Sequence, residues 1–419
     1  MSSSCRRLYV AFGAAGTLLG LTPNAQADNW EWLPRIEVGG TYNDNYRMAN
    51  TADQELEVYG PYIDAQVTAQ MISQVSKIQI TPHIRTDYFP TDHADQSTDG
   101  YLDFDGEHRT QRSDAAALVQ YSNQTVIYSE LLAATFPGVA LGQVLPSQSG
   151  VVSVRNREQL TRAVPRYSYD FTQRTHLQLQ GEYDHASFSH SGIVGLGQVG
   201  YDNYQGTAGL GFDVSPRSIL SVSGTGSHFN PQAGSSSDTY GAQLQWNLRQ
   251  SQVMELYARL GEERTDSQTA TLGTVSGNGL TGGAGVDLRY QVTEVTLDVL
   301  RSLAPSDAGA EVIDNELRFR VLHALEPLLS GFVGLHGVQL RSSSSGALAI
   351  TGQSYVAAEG GVDYQITQSY RLEATYTLTW QRFQSTPTAT SNAVSLAIIY
   401  QPLSRYEPLP EFTGIPQER

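Results

Sequence analysis

The stretch from Gly279 to Leu300 narrows the possible folds more than any other part of the chain. Leu280, Gly282, Ala284, Val286, Leu288 and Tyr290 alternate with Thr281, Gly283, Gly285, Asp287, Arg289 and Gln291. A period of two gives a pleated strand one apolar and one polar face. After Val292-Thr293-Glu294 the alternation resumes, with Val295, Leu297 and Val299 against Thr296 and Asp298, so the two runs form a tight hairpin. Strands of roughly 9 to 11 residues with small and aliphatic residues on one face and charge on the other suit a wall between lipid and water.

The N-terminal segment leaves before that wall folds. Arg6 and Arg7 precede the apolar run from Leu8 to Leu21, and Ala25-Gln26-Ala27 is an A-x-A cleavage site, so residues 1–27 read as a secretory signal and the mature chain starts at Asp28. Cys5 precedes the apolar run, where a lipid anchor does not fit, and it leaves with the signal. The mature chain then has no disulfide, thiol nucleophile or thiolate ligand. No later segment approaches the ~18 consecutive apolar residues of a spanning helix, which leaves a soluble β-protein or a closed membrane barrel. Loss of Arg6 and Arg7 takes the net charge from −16 to −18, against a nucleic-acid-binding surface. Lys77 is the only lysine, so nearly every positive charge is a guanidinium, a group able to grip carboxylate or phosphate with two hydrogen bonds.

The alternation recurs throughout residues 35–401. Ile36, Val38, Gly40 and Tyr42 open it. Ile63, Ala65, Val67, Ala69 and Met71 then oppose Asp64, Gln66, Thr68 and Gln70, and Ile78, Ile80, Pro82 and Ile84 oppose Gln79, Thr81, His83, Arg85 and Asp87. Later hairpins close at Thr172-Gln173-Arg174, at Ser215-Pro216-Arg217-Ser218, where Pro216 presets the backbone, and at Arg249-Gln250-Ser251-Gln252. The pattern yields about 18 strands, short turns alternating with long polar loops. The expected fold is all-β, a closed antiparallel up-and-down transmembrane barrel with both termini periplasmic. Phe332 and Val338 break parity in the strand from Leu328 to Leu340. The expected divisions are 1–27 signal, 28–34 periplasmic segment, 35–401 outer-membrane barrel and 402–419 Pro-rich periplasmic tail.

One connection, Ser122 to Glu158, is too long for a hairpin loop and carries Val126, Ile127, Leu131, Leu132 and Phe136. Apolar content of that kind predicts that this extracellular loop folds into the lumen, with a short helix starting near Ser129 and with Glu130, Phe136, Arg155 and Arg157 as constriction residues. The lumen face itself carries Asp64, Arg85, Asp87, Glu107, Arg109, Arg166, Asp170, Glu182, Glu255, Arg259, Asp287, Arg289, Asp298, Arg318, Arg320, Arg371 and Glu373. Together they indicate water inside, pairing across strands and filtering solutes by charge. Singly, each does no more than brace the wall.

The nine histidines show no metal-site spacing, although His185 and His190 share a loop region, and no cofactor is implied. The acidic run from Asp92 to Asp105 lacks the spacing of a calcium loop. No nucleophile elbow accompanies the abundant serines, so the chain does not read as an enzyme. Tyr and Trp near strand ends read as an aromatic girdle rather than as sugar-stacking platforms.

Several phrases carry a resemblance: Thr172-Gln173-Arg174-Thr175-His176-Leu177, Ser215-Pro216-Arg217-Ser218 and Arg301-Ser302-Leu303-Ala304-Pro305-Ser306. With the strand pattern, they resemble the barrels encoded with bacterial exopolysaccharide and exosortase (PEP-CTERM) systems, the VpsM-like outer-membrane porins. The resemblance implies an outer-membrane channel that exports a polysaccharide beside a periplasmic polysaccharide-export protein. Its other expected partners are membrane lipid, lipopolysaccharide and the barrel-assembly machinery. One departure is the tail after Tyr400, where many outer-membrane barrels end on their last aromatic residue. The alternatives are a diffusion porin for small solutes and a non-conducting structural or adhesive barrel.

Overall fold

The computed structural model describes residues 30–93, 95–130, 143, 155–189, 198–233, 235–269, 273–343, 352–383 and 387–404. Eighteen antiparallel strands follow one another around a single sheet. They run from β1 (Trp30–Asn43), β2 (Val58–Ile72), β3 (Ser76–Asp87), β4 (Ser97–Arg109), β5 (Ser113–Thr125) and β6 (Arg157–Asp170) to β7 (Thr175–Phe188), β8 (Tyr201–Ser215) and β9 (Ser218–Pro231). The circuit continues through β10 (Ser236–Ser251), β11 (Met254–Thr269), β12 (Gly273–Arg289), β13 (Thr293–Ser306), β14 (Ala310–Glu326) and β15 (Leu329–Ser342) to β16 (Gln353–Gln365), β17 (Tyr370–Phe383) and β18 (Ala389–Tyr400). β1 also pairs with β18, from Ile36 opposite Tyr400 to Asn43 opposite Ala393, which closes the ring. Closure leaves no sheet edge with unpaired backbone N–H and C=O groups.

The opening hairpin appears as expected, Gly285 opposite Asp298 and Val286 opposite Leu297. Its aliphatic row faces out, with Leu280 65% and Val299 49% exposed, while Asp287 and Asp298 are buried within. Trp30, Trp32, Tyr59, Tyr167, Tyr204, Tyr240, Trp246 and Tyr370 also lie on the exposed outer face.

At the short-turn end a local device repeats. The backbone N–H groups of Ser76, Ser113, Arg174, Arg217, Val253 and Tyr370 donate to the hydroxyls of Ser73, Thr110, Thr172, Ser215, Ser251 and Thr367 respectively. In these six turns a Ser or Thr at the head thus satisfies a donor that the ladder leaves over.

Two boundaries differ from the sequence expectation, and the one break in parity has a structural partner. β1 starts at Trp30, so Trp30 to Pro34 belong to the wall and not to the periplasmic segment placed at 28–34; Trp30 and Trp32 continue the outward row while Glu31 turns inward. The long connection is shorter than Ser122 to Glu158, because β5 and β6 stay paired up to Thr125 opposite Arg157. Phe332 and Val338 share the inward parity of the buried His336. Opposite Phe332 is Gly361, where a Cβ would come within 2.5 Å of the phenyl ring, so a glycine makes room for the misplaced aromatic.

Candidate functional site

The interior is a lattice of acids and guanidiniums on the face opposite the aliphatic rows. On β1 to β3, Arg35 pairs with Glu37 and lies 3.6 Å from Asp64, whose carboxylate is 2.9 Å from His83 Nε2 and 4.0 Å from Arg85. Arg85 also meets Asp87 at 3.1 Å, and its guanidinium sits 4.4 Å from the ring centre of Tyr62, whose hydroxyl donates to Glu37 at 2.6 Å. Arg109 bridges Glu107 and Asp114. Arg162 holds Glu182 at 2.7 Å, with Arg166 four residues along the same face. Arg249 and Glu255 meet at 2.9 Å, Arg289 and Asp287 at 2.6 Å, and Arg371 and Asp363 at 3.8 Å.

On β13 to β15, Arg318 Nε donates to Glu316 at 2.8 Å and reaches Asp298 at 3.6 Å. His336 Nε2 meets Glu316 at 2.8 Å, and Tyr257 donates to Asp298. Arg259, Arg320 and Glu373 share the inward parity of their strands, and Asp170 lies exposed at the short-turn rim. The sequence-derived lumen residues therefore fall on one face, drawn into strings of local pairs around the wall instead of one focal site. Such pairing fixes side chains that would otherwise swing across the lumen.

Two features of this face lie outside the sequence expectation. Lys77 is a lumen residue, 3.0 Å from Asp105. Tyrosines also point inward: Tyr62, Tyr257 and Tyr355 are buried among wall side chains, and Tyr101 stacks on His83 with centroids 4.6 Å apart. Parity with Asp64 marks Tyr62 as an inward residue in the sequence itself.

At the long-loop end the lumen is crossed. The chain leaves β5 through one helical turn, α1 (Val126–Glu130). Ile127 packs on the cluster of Tyr46, Val58 and Phe89 and on the pair Met48 and Ala389, so α1 reaches from β5 to the top of β2 and to β18. The Tyr128 ring centre lies 4.8 Å from the Arg85 guanidinium, which is thus held between two tyrosines. From another side the β13–β14 connection folds toward β7 to β10. Val199 N–H donates to Asp307 C=O at 2.6 Å. Gly309, at φ +84°, approaches Ala233 so closely that a Cβ would lie 2.8 Å from its carbonyl. The Glu311 carboxylate accepts from Ser237 at 2.7 Å and Thr239 at 2.9 Å, joining β14 to β10.

Arg155 and Arg157 were expected in a constriction, but they brace the rim. Arg155, half exposed, lies 3.3 Å from both Asp92 and Asp95, and Arg157 lies 3.1 Å from Asp99 and donates to Asn123 and to Thr98 C=O. Arg157 has the outward parity of β6, since Glu158 and Arg162 take the inward positions. The acidic run around Asp92 is thereby neutralised by arginines. Burial works to raise the Asp95 carboxyl, but the hydrogen bond and charge of Arg47, with Arg155 beside it, hold it below the usual carboxylate range. α1 itself begins at Val126, three residues ahead of the expected start at Ser129, and Phe136 and His190 lie outside the described residues. His185 pairs with Asp202 at 2.8 Å. Among the described residues no group of three or more His, Cys, Asp or Glu could hold a metal ion.

No protein-family model matches the chain, and no curated protein matches it significantly. Solved structures similar to it include Pseudomonas aeruginosa OccK2 in complex with glucuronate, 11% identical with a TM-score of 0.46 over 89% of this chain and 98% of that one. The outer membrane protein OpdK of the same organism is 10% identical with a TM-score of 0.45, over 88% of this chain and 98% of that one. The FrpB iron transporter of Neisseria meningitidis is 7% identical with a TM-score of 0.44, over 90% of this chain and 81% of that one.

Proposed function

We propose that this protein is an outer-membrane channel for hydrophilic solutes, with its mouth narrowed by its own loops. The observation that carries the reading is the two-sidedness of a closed wall: exposed Trp32, Leu260, Leu280 and Ile398 outside, and paired carboxylates and guanidiniums inside. An open water-soluble sheet would gain nothing from such an inversion, whereas a lipid-embedded ring of 18 strands requires it. Rings of about this size leave an aqueous passage. The long loops then face outward and both termini face the periplasm. Reconstitution in a planar bilayer tests this: the full chain should give few or brief openings, and a variant lacking residues 127–155 should give a steady ohmic current. Silence from both would favour a structural barrel.

A second reading makes the cargo an exopolysaccharide on its way out. The hairpin phrases of the sequence support it. So does the seated mouth, since a wide passage used only during export has reason to be shut to small solutes otherwise. Deletion of the gene in a strain without a paralogue should abolish surface polymer, and normal polymer would remove this reading.

A further inference from the structure

The charged lattice does not extend all the way round. On β8, β9 and β10, the inward residues between Asp213 or Arg249 at the short-turn rim and the mouth are amides, hydroxyls, glycines and a few apolar or aromatic groups, none of them ionisable at neutral pH. Gln243 donates to Gln245 at 3.3 Å and Gln245 to Asn247 at 3.0 Å, so the β10 amides form a ladder along the strand. Beside it the hydroxyls of Thr207 and Thr225 meet at 3.1 Å, and Gln205 stands two residues from Thr207 on the same face. All six are half-buried, with an edge left toward the lumen.

We infer that this uncharged arc is a binding lane for neutral polyhydroxylated chains, that is, uncharged oligosaccharides. The inference rests on the channel reading and names a cargo class for it. Each carboxamide offers two donors and an acceptor oxygen with two lone pairs, and each hydroxyl both donates and accepts. The ladder uses only part of that capacity. A sugar hydroxyl has the same dual character, so a chain of them can exchange partners along the strand as it moves, with successive rungs about 7 Å apart. A fixed charge would instead hold counterions and water that a neutral sugar could not replace without loss. The charged arcs on either side keep a water film over the rest of the wall, leaving β8 to β10 as the face where an uncharged polymer displaces the weakest-held solvent.

The test is calorimetry on the full chain in detergent, with a linear neutral α-glucan hexasaccharide and a fully anionic oligogalacturonate of equal length. The neutral chain should bind at least fivefold more tightly. The triple variant Gln205→Ala, Gln243→Ala, Gln245→Ala should weaken neutral binding about tenfold while keeping its heat-modifiable gel shift. Gln243→Glu alone, which preserves volume, should weaken neutral binding without restoring the anionic chain. Absence of neutral binding, a preference for the anionic chain, or unchanged neutral binding in a folded triple variant overturns the inference. The bilayer measurement is separate, so a conducting protein that ignores neutral sugars sinks this inference and leaves the channel standing.

Discussion

The seat of α1 on the opposite wall should be what holds the mouth narrow, and the double variant Ile127→Ala, Tyr128→Ala releases it. Ile127 packs half-buried on Tyr46, Val58 and Phe89 and on Met48 and Ala389, so its truncation removes ~1.5 kcal/mol, the low end for burying such a side chain. The Tyr128 ring faces the Arg85 guanidinium at 4.8 Å, an attraction of ~1–2 kcal/mol where water is largely excluded. Together these favour the seated state by ~3 kcal/mol, and at ~1.4 kcal/mol per decade their loss moves the open-to-closed ratio by about a hundredfold. Single-channel recording reads that ratio directly, and Arg85 keeps its ion pair with Asp87, so the wall should stay intact. An open probability within twofold of the unmodified protein, from a variant with the same gel shift, would refute the reasoning.

Three further outcomes follow from the geometry. Acid should loosen the rim. The Asp95 carboxyl is held below its unfolded value of ~3.9, so the stabilisation by Arg47 and Arg155 is present in full above that value. It is lost as pH falls through the lower folded value, and recordings should show longer openings only below about pH 4; Asp95→Asn should show them at pH 7. Arg318→Ala leaves the buried carboxylates of Glu316 and Asp298 short of their counter-ion and should cost ~3–5 kcal/mol, read as a lower guanidinium midpoint for unfolding in detergent. Gly361→Val drives a side chain into the Phe332 ring and toward Ala374 C=O, and should cost ~1–3 kcal/mol in the same assay, with Phe332→Ala in the same chain recovering part of it.

How much of this was legible in the sequence depends on how local the cause is. Parity is local: Leu280 against Asp287, or Ile63 against Asp64, fixes a strand's two faces without knowledge of its neighbours, and so the strand count and the lumen face could be read from the chain. The turns were legible as breaks, but the hydroxyl at Ser73, Thr110 or Thr367 that satisfies each one acts through a hydrogen bond no periodicity reveals. Phe332 looked like an error of parity because its partner, Gly361, is 29 positions away and only the register of β15 on β16 brings them together. The same limit applied to Arg155 and Arg157. Their positions beside an apolar loop suggested a constriction, while their true partners, Asp92, Asp95 and Asp99, come from the preceding loop and strand. The seat of α1 on Arg85 and Met48 was beyond reach for that reason, since it joins elements that meet only once the ring is closed.

A membrane channel requires the acid and guanidinium face to be the wet one. Cys5 is the only cysteine, so single cysteines can be placed one at a time after Cys5→Ser, in outer membranes or liposomes. Leu260→Cys, Leu280→Cys and Ile398→Cys should resist a charged, membrane-impermeant thiol reagent and react with a lipid-soluble maleimide. Gln205→Cys, Gln245→Cys and Thr377→Cys, the last on the inward row of β17 with Arg371 and Glu373, should react with the charged reagent. Labelling that is uniform along the strands, or that alternates in the opposite sense, would contradict the barrel as a membrane channel.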